Sequence, residues 1–345
     1  MRNYVVTLGE IMLRLKSPNF ERLLQNPVLK ASFGGSESNV AISLANFGIP
    51  SRFVSALPNN QLGLAVIRFL KSMNVDTSYI QMQGTRLGTY YLETGSGPRP
   101  SKVIYDRSNS SISQAKTEDF DWDLIFKDVK WFHISGITPA LSQKSADISL
   151  SAIKFARNLG INISCDLNYR KNLWNYGKPA KEVMGKIVPL IDIIIANEED
   201  LQKSLGIEED QIIGTENLDP QKYEKMLKKV SEQFPNIKII ATTLRESFSA
   251  DHNDWSALCY EKATNTTFFS RKYALKNIVD RVGAGDAFAG GFIYGIYSKL
   301  DIQGALEFAV AASTLKHTIP GDINRVSIKE VKNFLEGESS GRVQR

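Results

Sequence analysis

Short apolar runs alternate with longer segments of helical period along most of the chain. Residues 5–8, 51–56, 130–135, 161–166, 192–196 and 237–243 read as strands, and several of these are apolar at every position, as strands buried on both faces are. Between the first two, 37–47 places Val40, Ala41, Leu44 and Ala45 on one helical face and stops at Gly48. Segment 61–73 repeats the pattern with Leu64, Ile67 and Leu70. Further helices are predicted over 142–158, 179–190, 221–233, 286–299 and 301–318, and Ser327 opens a last one beyond Pro320-Gly321. Strands and helices in this order predict an α/β protein with a mostly parallel sheet covered by helices.

One stretch breaks the alternation. From 86 to 111 there is no helical period, and Gly88-Thr-Tyr-Tyr-Leu-Glu93 and Lys102-Val-Ile-Tyr-Asp-Arg107 read as two strands joined by a Gly-Ser-Gly-Pro turn. With 11–16 they can form a small sheet standing off the main one; a plain surface hairpin is the alternative for these residues alone. The expected organisation is one domain over 1–336 and a disordered polar tail over 337–345.

Composition adds few constraints. A length of 345 residues suits one large α/β domain, and 42% hydrophobic with 23% charged residues suits a globular protein. The formal charge of +5 is small for the length, and no continuous basic run points to nucleic acid. Cys165 and Cys259 lack the spacing of a disulfide framework or a zinc site. No apolar run reaches membrane-spanning length and the N-terminus lacks a signal-like apolar core, so a cytoplasmic protein is expected.

The densest chemistry lies in Asp280-Arg-Val-Gly-Ala-Gly-Asp-Ala-Phe-Ala-Gly-Gly291. A small-residue turn there meets the start of a helix, whose unpaired N–H groups and partial positive charge hold anions such as phosphate oxygens. Gly283 and Gly285 let the backbone come close to such an anion, and Asp286 is placed to take a proton from a hydroxyl that attacks a phosphoryl group. A plain glycine turn capped by Asp286 is the alternative for these residues alone.

The string resembles the second signature of the ribokinase-like (phosphofructokinase-B type) sugar kinases, and Gly34-Gly35-Ser36-Glu37-Ser38-Asn39-Val40-Ala41 resembles the first. The resemblance covers essentially the whole chain. It implies a three-layer α/β/α sandwich with a β-lid over the sugar, the lid being an insertion built from segments at about 11–33 and 86–112 and not a second sequential domain. It also implies ATP and Mg2+ as cofactors with a monovalent cation as a further candidate, and Asp286 as the base beside an anion hole of Gly283, Ala284 and Gly285. Within that family, Pro-Ser-Lys-Val-Ile-Tyr-Asp-Arg and Asp-Leu-Asn-Tyr-Arg-x-x-Leu-Trp look like the 2-keto-3-deoxygluconate kinases. The implied sugar site is Gly34, Gly35, Asn39, Tyr90, Tyr105, Arg107, Arg170 and Asp322. Two arginines suit an acidic sugar, because a guanidinium forks a carboxylate.

For the nucleotide, no Gly-x-x-x-x-Gly-Lys-Ser/Thr loop is present. Segment 242–249 follows a strand and is predicted to begin a turn, with Thr243 and Ser247 as phosphate or ribose contacts. Asn168 and Asn197 are also expected on the nucleotide side, together with Gly283 and Gly285. Asn197-Glu-Glu-Asp200 resembles the family's Asn-x-x-Glu motif, so Asp200 and Glu199 are the candidates to assist magnesium indirectly; a simple helix cap is the other reading. The expected reaction is ATP-dependent phosphorylation of 2-keto-3-deoxygluconate at its terminal hydroxyl, in a homo-oligomer such as a dimer through the lid. A fructokinase and a non-catalytic sugar-binding regulator are the alternatives.

Overall fold

A computed structural model describes residues 3–207 and 220–337. In chain order its strands are β1 (Tyr4–Leu8), β2 (Met12–Lys16), β3 (Lys30–Gly34), β4 (Ser51–Val54), β5 (Ala56–Leu57), β6 (Gln81–Met82), β7 (Thr89–Glu93) and β8 (Lys102–Asp106). They continue with β9 (Val129–Ser135), β10 (Asn162–Asp166), β11 (Ile193–Ala196), β12 (Ile239–Ser247), β13 (His252–Glu261), β14 (Thr266–Phe269) and β15 (Tyr273–Lys276). The central sheet runs β14-β13-β12-β11-β10-β9-β1-β4, with β15 beside β13. From β4 to β12 all neighbours are parallel, and from β12 outward they are antiparallel.

Side chains alternate across this sheet. Val6, Phe132, Ile134, Ile163, Cys165 and Ile194 point to one side, into a core shared with helices Gln143–Asn158, Ala180–Ile187 and Pro220–Gln233. Val5, Trp131, Ile193, Ile195 and Ile239 point to the other, against helices Ser36–Asn46, Ala284–Tyr297 and Ile302–Lys316. The result is a three-layer sandwich, with the helix-covered, mostly parallel sheet that the alternation predicts, and the apolar strands are those buried on both faces.

Two local expectations are corrected. Helix Gln61–Ser72 turns Gly63, Val66 and Leu70 inward, while Leu64 is exposed. Gly63 lies against the Pro58 carbonyl, where any Cβ would clash, so the inward face includes a glycine and not Leu64. Residues 242–249 are mostly strand: β12 continues to Ser247 and returns through a tight turn as β13, with Ser247 opposite Asn253.

The second sheet has the order β3-β2-β7-β8 and collects the segments expected as a lid. Tyr90 lies opposite Tyr105 across β7 and β8. The tail expected over 337–345 lies outside the described residues apart from Gly337. In the central sheet the chain leaves β1 for β4 on one side and later returns to β9 on the other. Loops beyond the carboxyl ends of such strands diverge and open a crevice, and the second sheet overhangs it.

Candidate active site

The crevice is a cavity of about 1180 Å³. That exceeds the roughly 300–1,000 Å³ typical of a pocket for one small ligand, so there is room for two molecules side by side. At its floor helix Ala284–Tyr297 begins, preceded by Gly283 in the left-handed region at φ 80°. A Cβ on Gly283 would collide with the Asp322 carbonyl, so conformation and space both require glycine there. Gly285 differs: it is inside the helix, and nothing lies in front of the position a Cβ would take. That open space faces the cavity.

The N–H groups of Gly283, Gly285 and Asp286 have no partner among the described residues, whereas that of Ala284 donates to the Arg281 carbonyl at 3.3 Å. Of the three donors expected of the anion hole, Gly283 and Gly285 are thus open and Ala284 is engaged in a long turn contact, while the Asp286 N–H is open beside them.

The two sequence signatures meet at the Asp286 carboxylate. Asn39 Nδ2 donates to Oδ2 at 2.7 Å and Ser36 Oγ to Oδ1 at 2.8 Å, both from the first turns of helix Ser36–Asn46. Burial raises the Asp286 pKa, and these two hydrogen bonds oppose the rise. Asn39, expected among sugar contacts, is 2% exposed and engaged with Asp286 and the Gly35 N–H. Its place is behind the carboxylate. Asn168, held in a left-handed turn after β10, links Asp166 to Ser36 through its amide.

Below the lid, Arg14 bridges the carboxylates of Asp280 and Asp322, and Tyr90 donates its hydroxyl to Asp322. All four are buried. Burial tends to push Asp280 up, but Lys316 and Arg14 hold it below the usual carboxylate range. Gly34 backs directly onto Asp322 and Gly35 onto the Glu10 carbonyl, with no room for a Cβ at either. Tyr105 is half exposed and packs on Tyr90, with ring centroids 5.9 Å apart.

The two arginines differ. Arg107, expected to meet a sugar carboxylate, is 8% exposed and paired with buried Glu10, Nε to Oε2 at 2.6 Å. Its charge is already committed within the protein. Arg170 is exposed at the cavity, with its guanidinium on the neighbouring Tyr169 carbonyl at 2.9 Å. Its charge offsets part of the rise in the pKa values of Asp166, Asp200 and Asp286.

On the far side Thr243, Ser247, Asn197 and Glu199 line the cavity. Each Asp200 oxygen accepts one N–H group, that of Tyr169 at 2.7 Å and that of Asn197 at 3.0 Å, in a capping box that starts helix Glu198–Leu205. Among the described residues no three His, Cys, Asp or Glu side chains converge as a metal site. Sequence reasoning did not find Arg245, Asn253 and Arg281, which also line this side. Asn253 is fully buried with both amide atoms unpaired, and Arg281 Nε is unpaired too, among the described residues. Buried polar atoms without partners are costly, and these lie on residues at the cavity wall.

A parallel α/β sandwich that sets a carboxylate and free N–H groups of one helix beneath an overhanging small sheet defines a ribokinase-like phosphotransferase. The chain belongs to the PfkB family: the model of the pfkB family carbohydrate kinases matches residues 2–329. It is similar to the 2-dehydro-3-deoxygluconokinase of Thermotoga maritima, whose crystal structure superposes with a TM-score of 0.91 at 45% identity, covering 97% of this chain and 100% of that one. It is 29% identical over 337 residues to the 2-dehydro-3-deoxygalactonokinase of Haloferax volcanii, covering 98% of each. It is 27% identical over 340 residues to the 2-dehydro-3-deoxygluconokinase of Bacillus subtilis, covering 98% of this chain and 97% of the relative. The protein is a carbohydrate kinase, which acts on a sugar with ATP. Among the described residues no helix is long and apolar enough to cross a membrane.

Proposed function

We propose that the protein transfers the γ-phosphoryl group of ATP to the terminal hydroxyl of 2-keto-3-deoxygluconate, giving 2-keto-3-deoxy-6-phosphogluconate. The observation that carries the sugar-acid reading is Arg170: an exposed guanidinium with no carboxylate partner among the described residues, at the same cavity as Asp286. A neutral sugar has no use for it. Relatives named for 2-dehydro-3-deoxygluconate and 2-dehydro-3-deoxygalactonate support the same substrate class.

In this reading Asp286 takes the proton of the terminal hydroxyl as it attacks. The N–H groups of Gly283 and Gly285 face the charge that develops on the transferring group. Gly34, Gly35, Tyr90 and Asp322 wall the sugar, Tyr105 covers it, and Arg107 with Glu10 closes the lid side. Thr243, Ser247, Arg245 and Arg281 line the place for the triphosphate. A magnesium ion accompanying ATP would neutralise phosphate charge there, within the acidic surroundings of Asp166, Asp200 and Glu199.

Substitution of Arg170 tests the substrate. Arg170→Ala is expected to raise the KM for 2-keto-3-deoxygluconate about ten- to a hundredfold, the worth of a charge-assisted hydrogen bond. The residual rate on a neutral ketose should stay within about twofold. Equal losses on acidic and neutral sugars would contradict carboxylate recognition and favour fructokinase activity.

A further inference from the structure

Lys316, the last residue of helix Ile302–Lys316, is 0% exposed. A fully buried ammonium is rare, and the sequence pattern that predicts this helix gives no reason for one. Its Nζ donates to the main-chain carbonyl of Asp280 at 2.9 Å and to that of Val282. Two carbonyls of one loop, from residues two apart, thus converge on a single positive centre. The Asp280 and Asp322 carboxylates act on the same centre and oppose the effect of burial, which lowers the Lys316 pKa to about 8. The group is therefore largely cationic at neutral pH.

The loop so held runs directly into Gly283. In a trans peptide the C=O of one residue and the N–H of the next point in opposite directions. Fixing the Val282 carbonyl inward on Lys316 thus aims the Gly283 N–H outward, toward the cavity that Gly283 lines. The rest of the loop is pinned around it: the Asp280 carboxylate accepts from the Val282 N–H at 3.1 Å and from the Gly321 N–H at 3.1 Å. The Asp280 N–H is held by the His317 carbonyl at 3.2 Å, from the residue after the lysine.

We propose that Lys316 is a positioning residue that acts as a tethered monovalent cation, assembling the phosphoryl-binding turn on the carbonyls of Asp280 and Val282 so that no added alkali ion is needed there. An ammonium group and a potassium ion are similar in size and take the same carbonyl ligands, so one can stand in for the other. The inference rests on the kinase reading above, and it adds that the loop's cation is covalently part of the chain.

The test compares potassium with tetramethylammonium salts at equal ionic strength. Wild-type turnover should be the same in both. Lys316→Ala, which leaves a space, should lose about a hundredfold in tetramethylammonium, on the scale of losing one oxyanion-hole donor, and regain at least about tenfold with potassium or ammonium ions. Lys316→Met, which fills the space, should be equally impaired and not rescued, with cooperative melting retained. The same salt comparison on the affinity for a non-hydrolysable ATP analogue, by calorimetry, reads the loop even if no sugar is turned over, so failure of the kinase reading is seen separately. A wild type that needs added potassium, an alanine variant as active as wild type without it, or an alanine variant that no monovalent cation rescues would each overturn the proposal.

Discussion

In the proposed mechanism Asp286 combines a catalytic requirement with an energetic cost. Burial raises its pKa above the ordinary value of about 3.9. A carboxyl raised in the folded state costs no stability below its unfolded pKa, where it is protonated in both states. The cost grows as pH rises through the folded pKa and is complete above it. Asp286→Asn should therefore raise the melting temperature at neutral pH relative to wild type, keep sugar binding, and lower turnover by roughly 10²–10⁴. In the wild type the acid limb of the rate should fall above the range of a free carboxylate. A variant that keeps more than about a tenth of wild-type turnover would remove Asp286 from the role of base. The glycine turn at a helix start, with a carboxylate beside it, was legible in the sequence because that pattern is local. The commitments of Arg107 and Asn39 were not, since their partners Glu10 and Asp286 lie far away in the chain and only the fold brings them close.

At the scale of elements, the turn into helix Ala284–Tyr297 separates two glycines that look alike in the sequence. Gly283 has a left-handed backbone and no room for a Cβ, while Gly285 is helical with open space before it. Gly283→Ala should lower the melting temperature, because the left-handed strain alone is about 1–2 kcal/mol, and abolish most activity. Gly285→Ala should melt no lower than wild type, alanine being the better helix former, while its methyl group raises the KM for ATP. Equal melting of the two variants would contradict this division. The β12–β13 hairpin was harder to foresee. Beyond Thr243 the chain reads Leu-Arg-Glu-Ser, and a strand with exposed positions near a sheet edge lacks the continuous apolar run that marks buried strands. With the hairpin missed, Asn253 on its second strand was missed too.

Across the whole molecule, the alternation of strands and helices foretold the layers, because burial on both sheet faces writes itself into composition. The order of strands does not follow from periodicity, and neither does the reversal at β1 that opens the cavity. Nor could the sequence show that, within the lid sheet, Arg14 is buried while β8 is exposed. The measurement that bears most directly on the account is ADP release by the purified protein with ATP and 2-keto-3-deoxygluconate, with the phosphate located in the product by NMR. The account predicts ATP consumption that depends on the sugar acid, a phosphomonoester on the terminal carbon, and a markedly lower kcat/KM for the analogue whose carboxylate is replaced by hydroxymethyl. Absence of sugar-dependent ADP release, a phosphate on another carbon, or equal kcat/KM for the two compounds would contradict it.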